Sequence, residues 1–220
     1  MDNILILGAG GHAKVIVDIV ELEGKYNLIG IIDQNLAEKK PLLGYPLLGK
    51  EEDLPKLIKE YAIKGIIIAI GDNFIRSKAA ARLKENYPEL SFPYAIHPKT
   101  IIARDVKIGE GTVIMAGVSV NPGSTIGSFC ILNTNSILDH DSSMGNFSSL
   151  APGVTVGGDC KIGNYSAIGI GATLLHGIQI GEHSVIGAAS LVSKAIPSYT
   201  VAYGLPAKEI RKRKKGETYL

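Results

Sequence analysis

From Ile96 to Val192 every sixth residue is aliphatic. Ile96, Ile102, Ile108, Ile114, Val120 and Ile126 open a series that runs through Leu132, Leu138, Met144, Leu150 and Val156 to Ile162, Ile168, Leu174, Ile180, Ile186 and Val192 without a slip. Four residues after the aliphatic position comes a small or aliphatic side chain, as at Thr112, Ser124, Cys130, Ser136, Ser148, Ser166, Ala172, Ser184 and Ser190. The residue directly after it is most often glycine, as at Gly109, Gly127, Gly145, Gly163 and Gly181. A period of six suits neither a helix of 3.6 residues per turn nor a hairpin meander. It suits a parallel β-helix that turns a corner once per hexad. Three hexads make one triangular coil, and the aliphatic residue of each stacks on its equivalent one coil away, about 4.8 Å along the axis. The seventeen hexads predict between five and six coils. Glycine after the aliphatic residue reads as a corner residue whose backbone leaves the ordinary β region.

The chain before this repeat alternates strands and helices. Residues 3–7 (Asn-Ile-Leu-Ile-Leu) predict a buried parallel strand, followed at once by Gly8-Ala9-Gly10-Gly11-His12-Ala13 and a helix that ends near Gly24. Further strands are expected at Leu28–Ile32, Pro46–Gly49 and Gly65–Ile70, and helices at about Asp53–Tyr61 and Ile75–Asn86. This describes a small open sheet of the Rossmann type. Pro88, Pro93 and Pro98 punctuate the passage into the repeat.

Two units agree with a length of 220 residues. A net charge of +2, with one short basic cluster at Lys208–Lys215 that reads as a solvated tail, does not indicate nucleic-acid binding. Neither a cleavable leader nor a membrane span is indicated near Met1, so a cytoplasmic enzyme is expected. The two cysteines, Cys130 and Cys160, both hold the small inward position of a hexad on different walls, which predicts reduced core thiols and no metal pair.

A glycine loop between strand and helix can bind phosphate at the helix N-terminus, though it also serves as a plain tight turn. The unit is too short for a full dinucleotide fold, and a sugar carrying a diphosphate fits it better than NAD does. Asp33, at the end of the second strand, is placed to accept hydrogen bonds from a ribose or base, and Gly71 lies on the same rim. In the repeat, Asp139-His140-Asp141 sets an imidazole between carboxylates, where an acidic partner holds one tautomer and raises the basicity of the other nitrogen. One coil later on the same corner comes Gly157-Gly158, whose bare backbone N–H suits a tetrahedral acyl-transfer intermediate. His176, a further coil on, can line the same groove. His97 and His183 have weaker cases.

Several segments together resemble the bacterial sugar acetyltransferases of the left-handed β-helix superfamily: Gly8–His12, Ala69–Asn73 with Arg76, Ile131–Thr134, Asp139–Asp141 and Gly204–Lys208. The similarity is strongest to enzymes that N-acetylate nucleotide-linked amino sugars, as in bacillosamine and perosamine synthesis, and extends to sialic acid O-acetyltransferases. It implies an α/β Rossmann-like N-terminal domain over residues 1–92, followed by a left-handed parallel β-helix of hexapeptide repeats with a C-terminal tail over residues 93–220.

The resemblance also implies roles. His140 matches the general base, Asp141 the acid that increases its basicity, and Gly158 the amide that holds the thioester carbonyl. Acetyl-CoA, with no metal, is expected in a groove between subunits of a homotrimer, at Ser149, Gly158, Ile170 and Ala188. A UDP- or GDP-linked 4-amino-4,6-dideoxy sugar is expected at Gly10, Gly11, His12, Asp33, Gln34 and Gly71, with direct transfer and no acyl-enzyme. Ser149 stands where several relatives carry a second histidine, and Gln34 where some carry a second acid. The alternative acceptor is the hydroxyl of a sialic acid or simpler sugar. His140, His176 and His183 lack the spacing of a γ-class zinc site.

Overall fold

The computed structural model describes residues 1–35 and 41–219. Its first unit is a parallel four-stranded sheet of β1 (Asp2–Leu7), β2 (Tyr26–Ile32), β3 (Leu47–Gly49) and β4 (Ile63–Ile68), in the order β3-β2-β1-β4. Helices α1 (Gly11–Glu23), α2 (Leu54–Tyr61) and α3 (Asn73–Asn86) connect and cover them. The apolar runs of β1 and β4 are buried from Ile4 to Leu7 and from Gly65 to Ile68, as parallel strands covered on both faces require.

The last strand starts and stops two residues earlier than its apolar run predicts. After Ile68 the chain is drawn off the sheet because the Arg76 guanidinium takes the carbonyls of Ile70 and Gly71, each at 2.9 Å. Helix α3 correspondingly starts two residues early. The Asp72 carboxylate caps it, accepting from the N–H groups of Phe74 and Ile75, both at 2.9 Å.

From Ala95 on, two-residue strands recur in three parallel walls, each strand pairing with the one 18 residues away, as Ile131 with Ser149 in register. The first wall runs from Ala95–Ile96 to Val185–Ile186, the second from Ile101–Ile102 to Leu191–Val192, and the third from Lys107–Ile108 to Gln179–Ile180. The hexad aliphatics fill the interior: Ile114, Leu132, Leu150, Ile168 and Ile186 are at most 1% exposed. Each such side chain contributes about 1.5–3 kcal/mol on burial. The small inward residues link successive coils. The Ser166 hydroxyl donates to the Gly181 carbonyl at 2.7 Å and accepts from Ser184 N–H at 3.0 Å.

The glycine after the aliphatic residue is required for a different reason from the one its sequence position suggests. Its φ is ordinary, but a Cβ on Gly109 would stand 2.5 Å from the Ser128 nitrogen of the next coil. The left-handed residue comes two places later and is often not glycine, as at Phe129, Asp141, Asp159 and Tyr165. At the corner between the third and first walls these residues build an aromatic ladder: Phe129, Phe147, Tyr165, His183 and Tyr199 stack with centroids 4.4–5.5 Å apart. His183 is therefore a buried rung. His97 is buried too, its Nδ1 accepting from Lys99 N–H at 3.0 Å.

The sheet domain rests on the first wall, where α1 and β1 share a core with Ala95, Val113, Met115 and Ile131. Arg76, 1% exposed, pins the joint by donating to the carbonyls of Phe129 (2.9 Å) and Phe147 (3.3 Å) and to Asn73 Oδ1 (2.6 Å). The basic run at the C-terminus is ordered, with Lys208, Arg211, Lys212, Lys214 and Lys215 exposed as a solvated segment requires. Ala207–Lys212 forms a strand antiparallel to Thr200–Gly204, and Arg213 is buried. Cys130 and Cys160 are free and buried, before strands of the first and third walls, and burial pushes both thiols up.

Candidate active site

The corner between the second and third walls carries the imidazole. Its backbone is pinned from both sides, with Asp139 N–H on the Val156 carbonyl and Asp141 N–H on that of Pro122, both at 3.0 Å. Asp141 adopts the left-handed conformation (φ 57°), and from there its Oδ2 reaches His140 Nδ1 at 2.9 Å. Asp139 faces the other way: its Oδ1 accepts from His140 N–H at 2.8 Å and from the Asn121 amide at 2.5 Å, so it orients the corner and leaves the ring to Asp141. These bonds, with the Asn121 contact foremost, hold the Asp139 carboxyl below its usual range. The hydrogen bond to Asp141 raises His140 above the ordinary histidine value, with Asp139 and Asp159 adding to it. His140 is half exposed, so its ring is open to a ligand.

Gly158 lies against the far side of that ring. A Cβ at this position would fall 2.5 Å from His140 Nε2 and 2.6 Å from Cε1. With Nδ1 engaged by Asp141, Nε2 is the nitrogen available for proton transfer, and it faces a stretch of bare backbone. The neighbouring amides are used between coils, Gly157 N–H on Leu174 and Asp159 N–H on His140. His176 completes the cluster one coil further on. Its ring centroid is 6.1 Å from that of His140, and its Nε2 is 3.1 Å from Asp159.

A second feature lies on the first wall, where the sheet domain ends and leaves the coils open. There a cavity of about 420 Å³ brings together His12 and Gly71 from the sheet rim, Ser149, Ile170 and Ala188 from the coils, and Tyr219 from the C-terminus. Apart from a few hydroxyl, amide and imidazole groups, its lining is aliphatic or glycine. That composition fits a thin, largely apolar arm with a few amides, such as the pantetheine of CoA. Asn73, at the start of α3, ties the domains together here, its amide donating to Ser149 Oγ at 3.1 Å and to the Ser166 carbonyl at 3.2 Å. His12 presents a buried Nε2 that has no hydrogen-bond partner among the described residues. Burial and then the Arg76 charge lower its pKa to about 4.

On the sheet rim, Gly8 is held at φ 109° with its Cα against the Ala69 carbonyl, a turn only glycine fills without strain. Gly10 and Gly11 differ: a Cβ on either would meet nothing within 4 Å among the described residues. Helix α1 has no acidic residue in its first turn. Asp33 is buried and fastens the loop, accepting from Ala9 N–H at 2.7 Å and Asn35 N–H at 2.9 Å. Gln34 beside it is exposed. The residues expected to act together thus fall into two sets. His12, Gly71, Ser149, Ile170 and Ala188 line one cavity, with Gly10, Gly11, Asp33 and Gln34 on the same rim. His140, Asp141 and Gly158 occupy a different corner of the same chain, and the second wall separates them.

Tyr219 lines the cavity without having been singled out by the sequence, and Asn73, from the Ala69–Asn73 segment, reaches its wall through Ser149. Asn73 follows directly on Gly71-Asp72 and was within reach of a capping argument. Tyr219 carried no signal.

Residues 3–83 match the PglD N-terminal domain family, and residues 159–194 match the bacterial transferase hexapeptide (six repeats) family. PerB from Caulobacter crescentus, solved in complex with CoA and GDP-perosamine, is 33% identical, with a TM-score of 0.89 over 96% of this chain and 98% of PerB. The chain belongs to the hexapeptide-repeat acetyltransferases. Its β-helix is accordingly the left-handed one. The acetyltransferase domain of PglB from Neisseria gonorrhoeae, solved with acetyl coenzyme A, is 29% identical, with a TM-score of 0.86 over 94% of this chain and 98% of that one. UDP-N-acetylbacillosamine N-acetyltransferase from Bacillus subtilis is 34% identical over 123 residues, and the chain spans about half of that relative's length, 52%. Among the described residues, no group of three or more His, Cys, Asp or Glu is placed to hold a metal ion, and no helix is long and apolar enough to cross a membrane.

Proposed function

We propose that the protein transfers the acetyl group of acetyl-CoA to the amine of a UDP- or GDP-linked 4-amino-4,6-dideoxy sugar, by direct attack and with His140 as general base. The observation that carries the reading is the contact of His140 with Gly158 while Asp141 holds the opposite ring nitrogen. The amine attacks the thioester carbonyl and Nε2 takes the proton it sheds. Gly158 N–H stabilises the oxyanion, and the imidazolium returns the proton to the departing CoA sulfur. A raised pKa favours the first half, in which the ring accepts a proton. No cysteine takes part, Cys130 and Cys160 being in the core.

The nucleotide end is assigned to the rim. The open backbone at Gly10 and Gly11 and the start of α1 take the diphosphate, and Asp33 and Gln34 stand at the ribose and base. Acetyl-CoA lies along Ser149, Ile170 and Ala188. Because the second wall keeps His140 from that cavity within one chain, the working site pairs the His140 corner of one copy with the cavity of its neighbour. A closed three-fold ring repeats this head-to-tail contact three times. Ile101 and Ile137, exposed on the second wall, are apolar surface for it to cover. A cytoplasmic site suits the free thiols.

The test is thiol release from acetyl-CoA with UDP- and GDP-linked 4-amino-4,6-dideoxy sugars and with free sialic acid. Turnover with one amino sugar is expected. Turnover with sialic acid alone would replace N-acetylation by O-acetylation.

A further inference from the structure

The segment after the last strand is a built strap. Arg213 N–H donates to the Tyr199 carbonyl at 2.8 Å, and its guanidinium donates to the carbonyls of His183 (3.2 Å) and Glu217. Glu217 folds back on Lys214, N–H to carbonyl at 3.2 Å and side chain to N–H at 3.0 Å. Gly216 passes so close to Phe74 that a Cβ would meet its ring at 2.5 Å. The strap thus crosses the aromatic ladder and delivers Tyr219 to the seam between the domains, under the Arg213 guanidinium at 5.6 Å.

There the phenol is held by Asn73 N–H, which donates to its oxygen at 3.1 Å, beside the Gly71 carbonyl at 3.5 Å and with Ser149 lining the same cavity. Ser149 Oγ in turn accepts the Asn73 amide, so three residues from three distant parts of the chain fix one another at the cavity wall. Burial keeps the phenol protonated, able to donate as well as accept.

We propose that Tyr219 is a positioning residue for the acyl donor: its ring closes the cavity at the domain seam, and its hydroxyl sets the Ser149 hydroxyl toward an amide of the pantetheine arm. This rests on the assignment of the cavity to acetyl-CoA. Serine alone is short and rotates freely, whereas serine clamped between Asn73 and Tyr219 presents one hydroxyl in one direction.

The test compares CoA binding by titration calorimetry and steady-state constants for the native chain, Tyr219→Phe and Tyr219→Ala. Tyr219→Phe keeps the ring and should weaken CoA about three- to tenfold, the loss of one hydrogen bond, with the melting temperature lowered by no more than a few degrees. Tyr219→Ala should weaken it further. In both, KM for acetyl-CoA rises while KM for the acceptor stays within about twofold, a split that a general loss of structure does not produce. Native binding of CoA matched or exceeded by both variants would overturn this inference alone, the latter marking the ring as a plug and not a wall. Failure of the native chain to bind CoA would overturn the acetyl-transfer reading and this inference with it.

Discussion

Gly158→Ala adds one carbon at the point where the account places the reacting groups. The new Cβ would lie 2.5, 2.6 and 3.0 Å from Nε2, Cε1 and Cδ2 of His140, whereas ordinary contacts begin at 3.4 Å. The ring must therefore retreat by about 1 Å, and being half exposed it swings into solvent and gives up the 2.9 Å bond to Asp141. Backbone strain is not an issue, since Gly158 lies outside the left-handed region, and its N–H remains in place. The loss is thus confined to where the base stands and which tautomer it holds. Misplacement by about 1 Å costs on the order of 10²-fold, and general-base loss 10²–10⁴-fold, so kcat/KM should fall about 10²–10³-fold. A surface contact of this kind leaves the melting temperature within a few degrees. Thiol release from acetyl-CoA at saturating acceptor, beside thermal unfolding, measures both. A folded variant with kcat/KM within about threefold of native would refute the placement of His140 over Gly158.

Three further outcomes are expected. Asp141→Asn replaces the carboxylate that raises His140 by a neutral acceptor, so the acid limb of the kcat/KM–pH profile, set by a base that must be neutral, should move to lower pH while the plateau falls; an unmoved limb would show that another group titrates. Arg76→Met keeps much of the buried volume but leaves the carbonyls of Ile70, Gly71 and Phe129 without their donor, and should cost about 3 kcal/mol or more in urea unfolding; a loss below about 1 kcal/mol would mean that the joint does not depend on it. His140→Ala and Ala188→Trp, each inactive alone, should recover activity when refolded together, because one copy supplies the corner and the other the cavity; no recovery in verified mixed assemblies would place the whole site in one chain.

The β-helix was the most legible part because its signal is a strict period, and Ile96 to Val192 fall inward at every hexad. The proposed catalytic corner was legible for the same reason: His140 and Gly158 are one coil apart, so periodicity alone stacks them. What the repeat did not reveal was the reason for its own glycines. Close approach between coils at Gly109 is a three-dimensional fact, and the left-handed positions are filled by Phe129, Asp141 and Tyr165, which nothing in a single sequence marks. The ends of β4 and α3 were misplaced because they are set by Arg76, whose partners Phe129 and Phe147 are 53 and 71 residues away. The same holds for the strap: nothing in a charged C-terminus marks its contacts with the ladder and Asn73. Local propensity was a good guide where neighbours in sequence were neighbours in space, and a poor one at the seam between the domains.

The most direct measurement is steady-state acetyl transfer by His140→Ala with the preferred amino-sugar acceptor, alongside CoA and acceptor binding to the same variant. The account predicts a fall in kcat of about 10²–10⁴-fold with both ligands still bound at near-native affinity. Transfer within a few-fold of native would contradict it, and would move the chemistry away from the corner where Asp141 and Gly158 enclose the ring.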